Sequence, residues 1–442
     1  MGYIQLMNEQ PWQEQGAYVL YWAHAAIRVR YNLALLQALE LAREQQKRLC
    51  VVYQLVPQYP QANRRHFAFL LPGLAEFGDQ LQKLGCDVEI ICEQTNEQLL
   101  KKCELACAVV SDTSYLRYFR EKQAFIAKQV PCQFYAVETN VVVPVQEAAD
   151  KQAYSAGTFR PKITKQLSTY LQPMRDVKRL AKQHGSIRGM EWLDYQYFCE
   201  TWGLATKVLP VASIGGEQAA QSQLSRFLHE GLAKYGQIAT TFDESASSQL
   251  SAYLHFGHIS PLDIALQVQN YPASQQTIDI FLEQLIVRRE LAINFVYYCE
   301  KYDCYPEALP KWAQITLANH EHDHREYLYE YESFAQADTH DPIWNQAQKQ
   351  LLVTGRMNNY MRMYWGKKVI EWTASYEQAW EYLLRLNDTY ELDGRDPNGY
   401  VGVAWCFGLH DRAWAEREIF GKVRYMNETG IYKRQRAAKQ KN

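Results

Sequence analysis

Apolar residues in the first third of the chain gather into short, nearly unbroken runs. These are Tyr18-Val19-Leu20-Tyr21-Trp22, Leu49-Cys50-Val51-Val52-Tyr53-Gln54-Leu55-Val56, Val88-Glu89-Ile90-Ile91-Cys92, Ala106-Cys107-Ala108-Val109-Val110 and Cys132-Gln133-Phe134-Tyr135-Ala136-Val137. Runs of this length suit strands buried on both faces, as in a parallel sheet. Between them the apolar positions recur at helical spacing, over about 25–45, 67–84, 97–102 and 115–129. The alternation predicts a doubly wound, parallel-sheet α/β domain over residues 1–145. Such sheets hold ligands at the carboxyl ends of their strands, so a small-molecule pocket is expected by analogy.

Residues 146–190 mix polar side chains with Pro161, Pro173 and a basic run from Arg175 to Lys182, and read as a linker with its charges in solvent. Over 191–442 the pattern turns helical, in segments near 220–235, 245–270, 275–302, 342–353, 355–373 and 376–387. Ser260-Pro261 supplies an N-cap and a first-turn proline. The fold class expected is therefore α/β plus all-α. The basic end, Lys433 to Lys441, reads as disordered, adding nonspecific DNA affinity or solubility.

At 442 residues, 47% apolar and 22% charged, the composition is that of a folded protein of two or three domains. No apolar run approaches the ~20 residues needed to cross a bilayer. The opening Met1-Gly2-Tyr3-Ile4-Gln5 lacks the basic and apolar regions of an export signal, so the ten cysteines read as reduced thiols in a cytoplasm. A net charge of −2 excludes a strongly basic overall footprint, although a local patch suffices for nucleic acid. Neither G-x-G-x-x-G after the first strand nor G-x-x-x-x-G-K-[ST] occurs. His320, His322 and His324 alternate with acids, but that spacing spreads the rings around a helix, and no metal site is expected. Cys103 and Cys107 lack a second pair. The abnormal counts are 31 Tyr and 11 Trp, nine of the Trp beyond residue 190. That surplus can pack a core and can also stack on a planar ligand.

The aromatic half carries motifs in a recognisable order. Met361-Arg362-Met363-Tyr364-Trp365-Gly366-Lys367-Lys368 is followed by Asn387-Asp388-Thr389-Tyr390-Glu391-Leu392-Asp393-Gly394-Arg395-Asp396-Pro397-Asn398-Gly399-Tyr400, Trp405, Gly408-Leu409-His410-Asp411 and Phe420-Gly421-Lys422-Val423-Arg424-Tyr425-Met426-Asn427. With Leu254 to Pro261, Phe281 to Leu291 and Gly16 to Trp22, the ensemble resembles the class II cyclobutane pyrimidine dimer photolyases of the photolyase–cryptochrome family. The resemblance implies an N-terminal antenna domain, a C-terminal helical FAD-binding domain, and light-driven splitting of pyrimidine dimers in DNA. It also implies a monomer acting on UV-damaged DNA without a membrane, at the nucleoid if the source is bacterial. The family sometimes uses a deazaflavin antenna, and no motif here decides whether one is present.

Site residues follow from matching positions. Asn387 resembles the asparagine near the reactive ring nitrogen of the flavin; a neutral amide can donate or accept, and so can serve several redox states. Its other reading is a helix C-cap. Asp393 and Asp396 can accept from a flavin ring N–H or orient Arg362, or can serve local Asx turns. Trp365, Trp344 and Trp372 match, in that order, a tryptophan relay from the flavin to the surface. Tyr235, Ser247, Ser248, Leu250 and Ser251 resemble FAD-binding positions, the serines at an expected helix start where hydroxyls and free N–H groups bind phosphate. Met363 and Trp405 match the wall of the dimer pocket. Glu283-Gln284 stands where the family carries Glu-Glu, and which of the two faces the lesion stays open. Arg288, Lys422 and Arg424 are candidates for phosphates beside the flipped lesion. A cryptochrome-like photoreceptor without repair, and a nonspecific single-strand binder using stacked aromatics, are the competing readings.

Overall fold

The computed structural model describes residues 2–177, 187–188, 195–204, 207–235 and 247–439, with backbone alone at 187–188, 195–196 and 434–439. Most of the expected basic run beyond residue 177, residues 245–246 and the last three residues lie outside these. The chain folds into two compact units. The first comprises Met1–Asp150, Thr164–Ser225 and Leu250–Asn270, the second Lys151–Ile163, Arg226–Gln249 and Tyr271–Asn442.

The first unit is built on a seven-stranded sheet of order β1-β6-β5-β2-β3-β4-β7. Its strands are β1 (Ile4–Leu6), β2 (Tyr18–Ala23), β3 (Arg48–Leu55), β4 (Asp87–Cys92), β5 (Ala106–Asp112), β6 (Gln133–Val137) and β7 (Ile187–Arg188). All neighbours run parallel except β1, which pairs antiparallel with β6. Helices α1 (Leu33–Glu44), α2 (Arg64–Lys83), α3 (Glu97–Glu104) and α4 (Arg117–Gln129) make the crossovers. Strand β2 explains why its sequence run is unbroken. Val19 and Tyr21 enter a core with Leu35, Leu39, Phe67 and Leu71 from α1 and α2, while Leu20 and Trp22 enter a second core with Leu99 and Ile126 from α3 and α4. Successive side chains point to opposite faces, and here both faces are dry.

The helical pattern that sequence places from about residue 25 begins only at Leu33. The cause lies at the end of β5. One Asp112 carboxylate oxygen accepts the backbone N–H groups of His24, Ala25 and Ala26 at 2.9, 2.9 and 3.1 Å, and the other accepts the Tyr21 hydroxyl at 2.6 Å. Buried Arg28 then donates to the carbonyls of Tyr31, Thr139 and Gly257 and to the Asn140 side chain. These bonds hold residues 24–32 as a loop until Asn32 caps α1 by accepting from the Leu35 N–H. The expected segment 245–270 is likewise two helices, Ser251–His255 and α5 (Pro261–Gln269). Gly257 breaks it at φ +70, where a Cβ would stand 2.0 Å from the Ala25 carbonyl oxygen. Ser260 caps α5 with Pro261 in its first turn, as the sequence predicts.

The stretch read as a linker holds the helices Val145–Ala148 and Ala156–Tyr170, the second with Pro161 inside it. In the second unit, α6 (Gln275–Leu282) runs through a π-helical turn, Glu283–Arg288, into α7 (Arg289–Tyr298). The helices α8 (Pro342–Thr354), α9 (Asn359–Glu371), α10 (Tyr376–Tyr390) and α11 (Pro397–Cys406) pack together beyond it. The chain end expected to be disordered forms α12 (Glu428–Lys439), with Ile431 buried. A single apolar anchor is a weak periodic signal within so basic a stretch.

Two predictions follow from the first unit. Asp112→Ala orphans three backbone N–H groups and leaves the buried Tyr21 phenol with Asn32 alone, and is expected to cost about 3 kcal/mol or more in chemical denaturation. A loss below about 1 kcal/mol would mean that water replaces the carboxylate. His258 is fully buried, accepts the Gly216 N–H at its Nδ1, and is held neutral by burial and by the Arg28 cation, with its pKa pushed down to about 3. Below its ordinary value near 6.5, the unfolded chain binds a proton that the folded chain refuses, so acidification destabilises until the folded value is reached. The stability advantage of wild type over His258→Gln should shrink by up to about 1.4 kcal/mol per pH unit below about 6. A gap independent of pH between 7 and 4 would contradict this assignment.

Candidate active site

Helices α9, α10 and α11 border a small cleft lined by Arg362, Trp365, Gly366, Leu383, Asn387, Gly399, Gly402, Val403 and Cys406. Its width depends on absent side chains. A Cβ at Gly366 would lie 2.6 Å from the Cys406 sulfur, and one at Gly399 would lie 2.7 Å from Asn387 Nδ2. Asn387 is buried in the last turn of α10, which continues to Tyr390 and is capped by Glu391, so the C-cap reading of Asn387 does not hold. Its Nδ2 donates to Asp388 Oδ1 at 2.9 Å.

Arg362 enters the cleft from α9. Its carboxylate partner is Glu391, at 3.0 Å and nearly fully buried. The sequence reading offered Asp393 or Asp396 for this role and missed Glu391. Glu391 directly follows the helix, where no spacing rule singles it out. Asp396 instead caps α11, accepting from the Asn398 N–H at 2.9 Å. Asp393, in the turn between them, keeps a buried Oδ1 that lacks a hydrogen-bond partner. An unmatched buried acceptor is costly in a finished core, and is what a ligand N–H would satisfy.

The three tryptophans come together. Asp341 caps α8 by accepting from the Ile343 and Trp344 N–H groups at 2.8 and 3.0 Å, and it also accepts the Tyr364 hydroxyl from α9. That bond and burial push the Tyr364 phenol far above its ordinary pKa. Trp344 Nε1 donates to the Trp365 carbonyl at 3.0 Å, and Trp365 Nε1 donates to fully buried Gln348 at 2.9 Å. The two indoles therefore stack, 6.2 Å apart and 6° from parallel, and Trp372 meets Trp344 edge-on at 6.3 Å. Trp365 is both a wall of the cleft and the first ring of this line. Trp372 is only 3% exposed. Sequence spacing missed what lies beyond it: His340 at 4.7 Å and Tyr329 at 6.0 Å, then Tyr327, stacked on His340 at 3.7 Å and 37% exposed.

Trp405, half-buried on α11, has the Lys367 ammonium 5.2 Å and the Arg424 guanidinium 5.7 Å from its ring centre. Lys367 is fully buried, donates to the Cys406 carbonyl, and burial lowers its pKa to about 8. Arg424 also lies 4.9 Å from the ring of Trp414, which is 40% exposed and has Arg412 on it as well. Sequence reading did not single out Trp414. Lys422 is exposed and Met363 half-buried.

Glu283 is turned to other partners. Arg160 grips it through two bonds of 2.8 and 2.9 Å, and Arg288 approaches to 3.4 Å. Gln284 is exposed. Tyr235 ends a short 3-10 turn against Phe227 and Phe281, and burial raises its phenol pKa to about 12. Ser247 is exposed and Ser248 half-buried. In the first unit, buried Leu250 occupies the cap position of Ser251–His255 without a side-chain cap bond, and Ser251 is exposed. The region from His320 to His324 is held by ion pairs of His320 with Asp323 and Glu416.

Residues 19–179 match the family model described as DNA photolyase. A deoxyribodipyrimidine photo-lyase of Methanothermobacter thermautotrophicus is 42% identical over 96% of this chain and 94% of that relative. One from Potorous tridactylus is 36% identical over 95% and 79%. Among solved structures, a cryptochrome of Synechocystis matches with a TM-score of 0.72 at 16% identity, over 96% of this chain and 86% of that one. An archaeal photolyase of Sulfolobus tokodaii with two FAD molecules matches with a TM-score of 0.70 at 15% identity, over 96% and 87%. With relatives 42% and 36% identical over 96% and 95% of its length, the chain belongs to the DNA photolyase family.

Proposed function

We propose that this protein is a light-dependent DNA repair lyase that opens cyclobutane pyrimidine dimers, with FAD in the cleft between α9, α10 and α11. The observation that carries the reading is the continuity of Trp365, one ring that both lines the cleft and stacks on Trp344. The residues suit a flavin. Glycines at 366, 399 and 402 leave a slot that side chains would fill, and the partnerless Asp393 Oδ1 is an acceptor for a ring N–H. When bound, reduced FAD supplies a photoexcited one-electron donor, and that chemistry belongs to the cofactor.

The chain's own part is position and charge. Arg362, paired with Glu391, brings a cation to the ring. Asn387 offers it an amide. Tyr235, Ser247 and Ser248 are the proposed contacts for the rest of the cofactor. Trp365, Trp344 and Trp372 provide oxidisable rings with centres 6.2 and 6.3 Å apart, a line along which an electron can reach the cleft and which His340 and Tyr327 continue to the surface. A dimer inside a duplex cannot approach a buried ring, so the lesion must flip out at a cost of a few kcal/mol, least where pairing is already damaged. Trp405 and Met363 are the proposed walls for the flipped bases. Exposed Trp414, flanked by Arg412 and Arg424, suits the gap left in the duplex, an aromatic wedge held by cations that also meet phosphate. Lys422 adds to that patch. Glu283, bound by Arg160, is a structural ion pair in this reading rather than the lesion's partner.

Loss of dimers from irradiated oligonucleotides under blue light, with purified FAD-loaded protein, tests the function. Photoreduction without lesion loss would leave the photoreceptor reading in its place. Trp365→Phe should nearly abolish light-driven reduction of oxidised FAD while leaving repair by chemically prereduced protein largely intact. Equal loss of both would remove Trp365 from the relay. Gly366→Ala should weaken FAD binding about 10- to 100-fold by overpacking the slot, and Gly366→Ala with Cys406→Ala should recover most of it. An unaltered flavin content in Gly366→Ala would put the cofactor elsewhere.

A further inference from the structure

The Asn387 amide has two chemically opposite ends, and a half-turn about its last bond exchanges an acceptor for a donor. A flavin ring nitrogen carries a hydrogen when reduced and a lone pair when oxidised, so the end that faces it matters. In this structure the choice is made by a neighbouring carboxylate. Asp388, only 8% exposed, takes the Asn387 Nδ2 hydrogen on Oδ1 at 2.9 Å. The same oxygen accepts the Arg395 backbone N–H at 2.8 Å, and the Arg395 guanidinium returns to the Asp388 carbonyl at 2.6 Å. Arg395 is itself buried and sits at φ +63, so the carboxylate is anchored by the turn that follows α10. Gly399 closes the other side, near enough that a Cβ there would press on Nδ2 at 2.7 Å.

We propose that Asp388 is a positioning residue: it holds the Asn387 amide by its NH2 end, so that the carbonyl oxygen is the group presented to the cleft. The site is then built to accept a hydrogen from a reduced flavin ring rather than to donate one to an oxidised ring. This rests on FAD occupying the cleft. It adds that the asparagine's orientation is imposed from outside the cofactor, by the residue next to it in sequence. Asp388 acts through Asn387 and needs no contact with the flavin. An acceptor oxygen is required, whereas the negative charge is not.

The test is infrared difference spectroscopy of the FAD-loaded, full-length protein on reduction, with the Asn387 carbonyl band assigned by its loss in Asn387→Ser. In wild type the band should move to lower frequency on reduction, as an accepted hydrogen bond requires. Asp388→Asn keeps an oxygen in place and removes the charge, and should retain the shift. Asp388→Ala removes the acceptor and should lose most of it. Asp388→Leu also removes the acceptor while keeping the bulk of the side chain, and should behave like Asp388→Ala; it decides the matter if Asp388→Ala does not fold. A wild-type band that ignores reduction, a normal shift in Asp388→Ala or Asp388→Leu, or loss of the shift in Asp388→Asn would each overturn the proposal. Flavin absorbance is read first. A colourless wild type that takes up no FAD would instead overturn the placement of the cofactor.

Discussion

The catalytic unit depends on one carboxylate that ties two helices together. Asp341 satisfies the first free N–H groups of α8 and, through its second oxygen, holds the Tyr364 hydroxyl of α9. A capping residue ordinarily stabilises only its own helix, by about 1 kcal/mol. Here it also sets the register of α8 against α9, and that register lays Trp344 flat on Trp365. The indole N–H bonds to the Trp365 carbonyl and to Gln348 then fix each ring about its own axis. Electron transfer needs close, oriented rings, and three directional bonds in a dry core give that more reliably than packing, which tolerates small slides.

The cleft departs from ordinary core rules where chemistry asks it to. A well-filled core would not keep three glycines along a cleft, an Asp393 oxygen without a hydrogen-bond partner, or a fully buried lysine such as Lys367, whose ammonium donates to a carbonyl among aromatic rings. Each of these costs stability on its own. Their concentration on the adjoining helices α9, α10 and α11 and the turn before α11 is the pattern expected when a fold gives up local stability for a site. The surrounding aromatic packing offsets it: Tyr364, Tyr376 and Trp344 are fully buried, and Trp380 and Trp365 nearly so.

Much of the first unit was legible because its strands are covered on both faces, so that no polar alternation interrupts them. The edge strand β1 escaped notice for the converse reason. Ile4–Leu6 is three residues long and exposed throughout, and gives no burial pattern to read. The start of α1 was misplaced because helical spacing continues through residues 25–32 while their hydrogen bonds go elsewhere, from Ala25 and Ala26 to Asp112 and from Arg28 to Thr139, Asn140 and Gly257, all more than 80 positions along the chain. The site motifs were legible as a resemblance, residue by residue, but their partners were not. Glu391 and Gln348 carry no signal in spacing, since their partners Arg362 and Trp365 stand on another helix.

Sequence by itself determined the alternation of the five central strands with their helices, because periodicity and residue type are local properties of a chain, while the family and the tryptophan line came with the resemblance. Tertiary structure alone decided that Glu391 meets Arg362 and that Arg160 meets Glu283. Those outcomes depend on distances of about 3 Å between side chains that approach only when the helices pack, and a hydrogen bond is too short and too directional to be inferred from spacing along the chain.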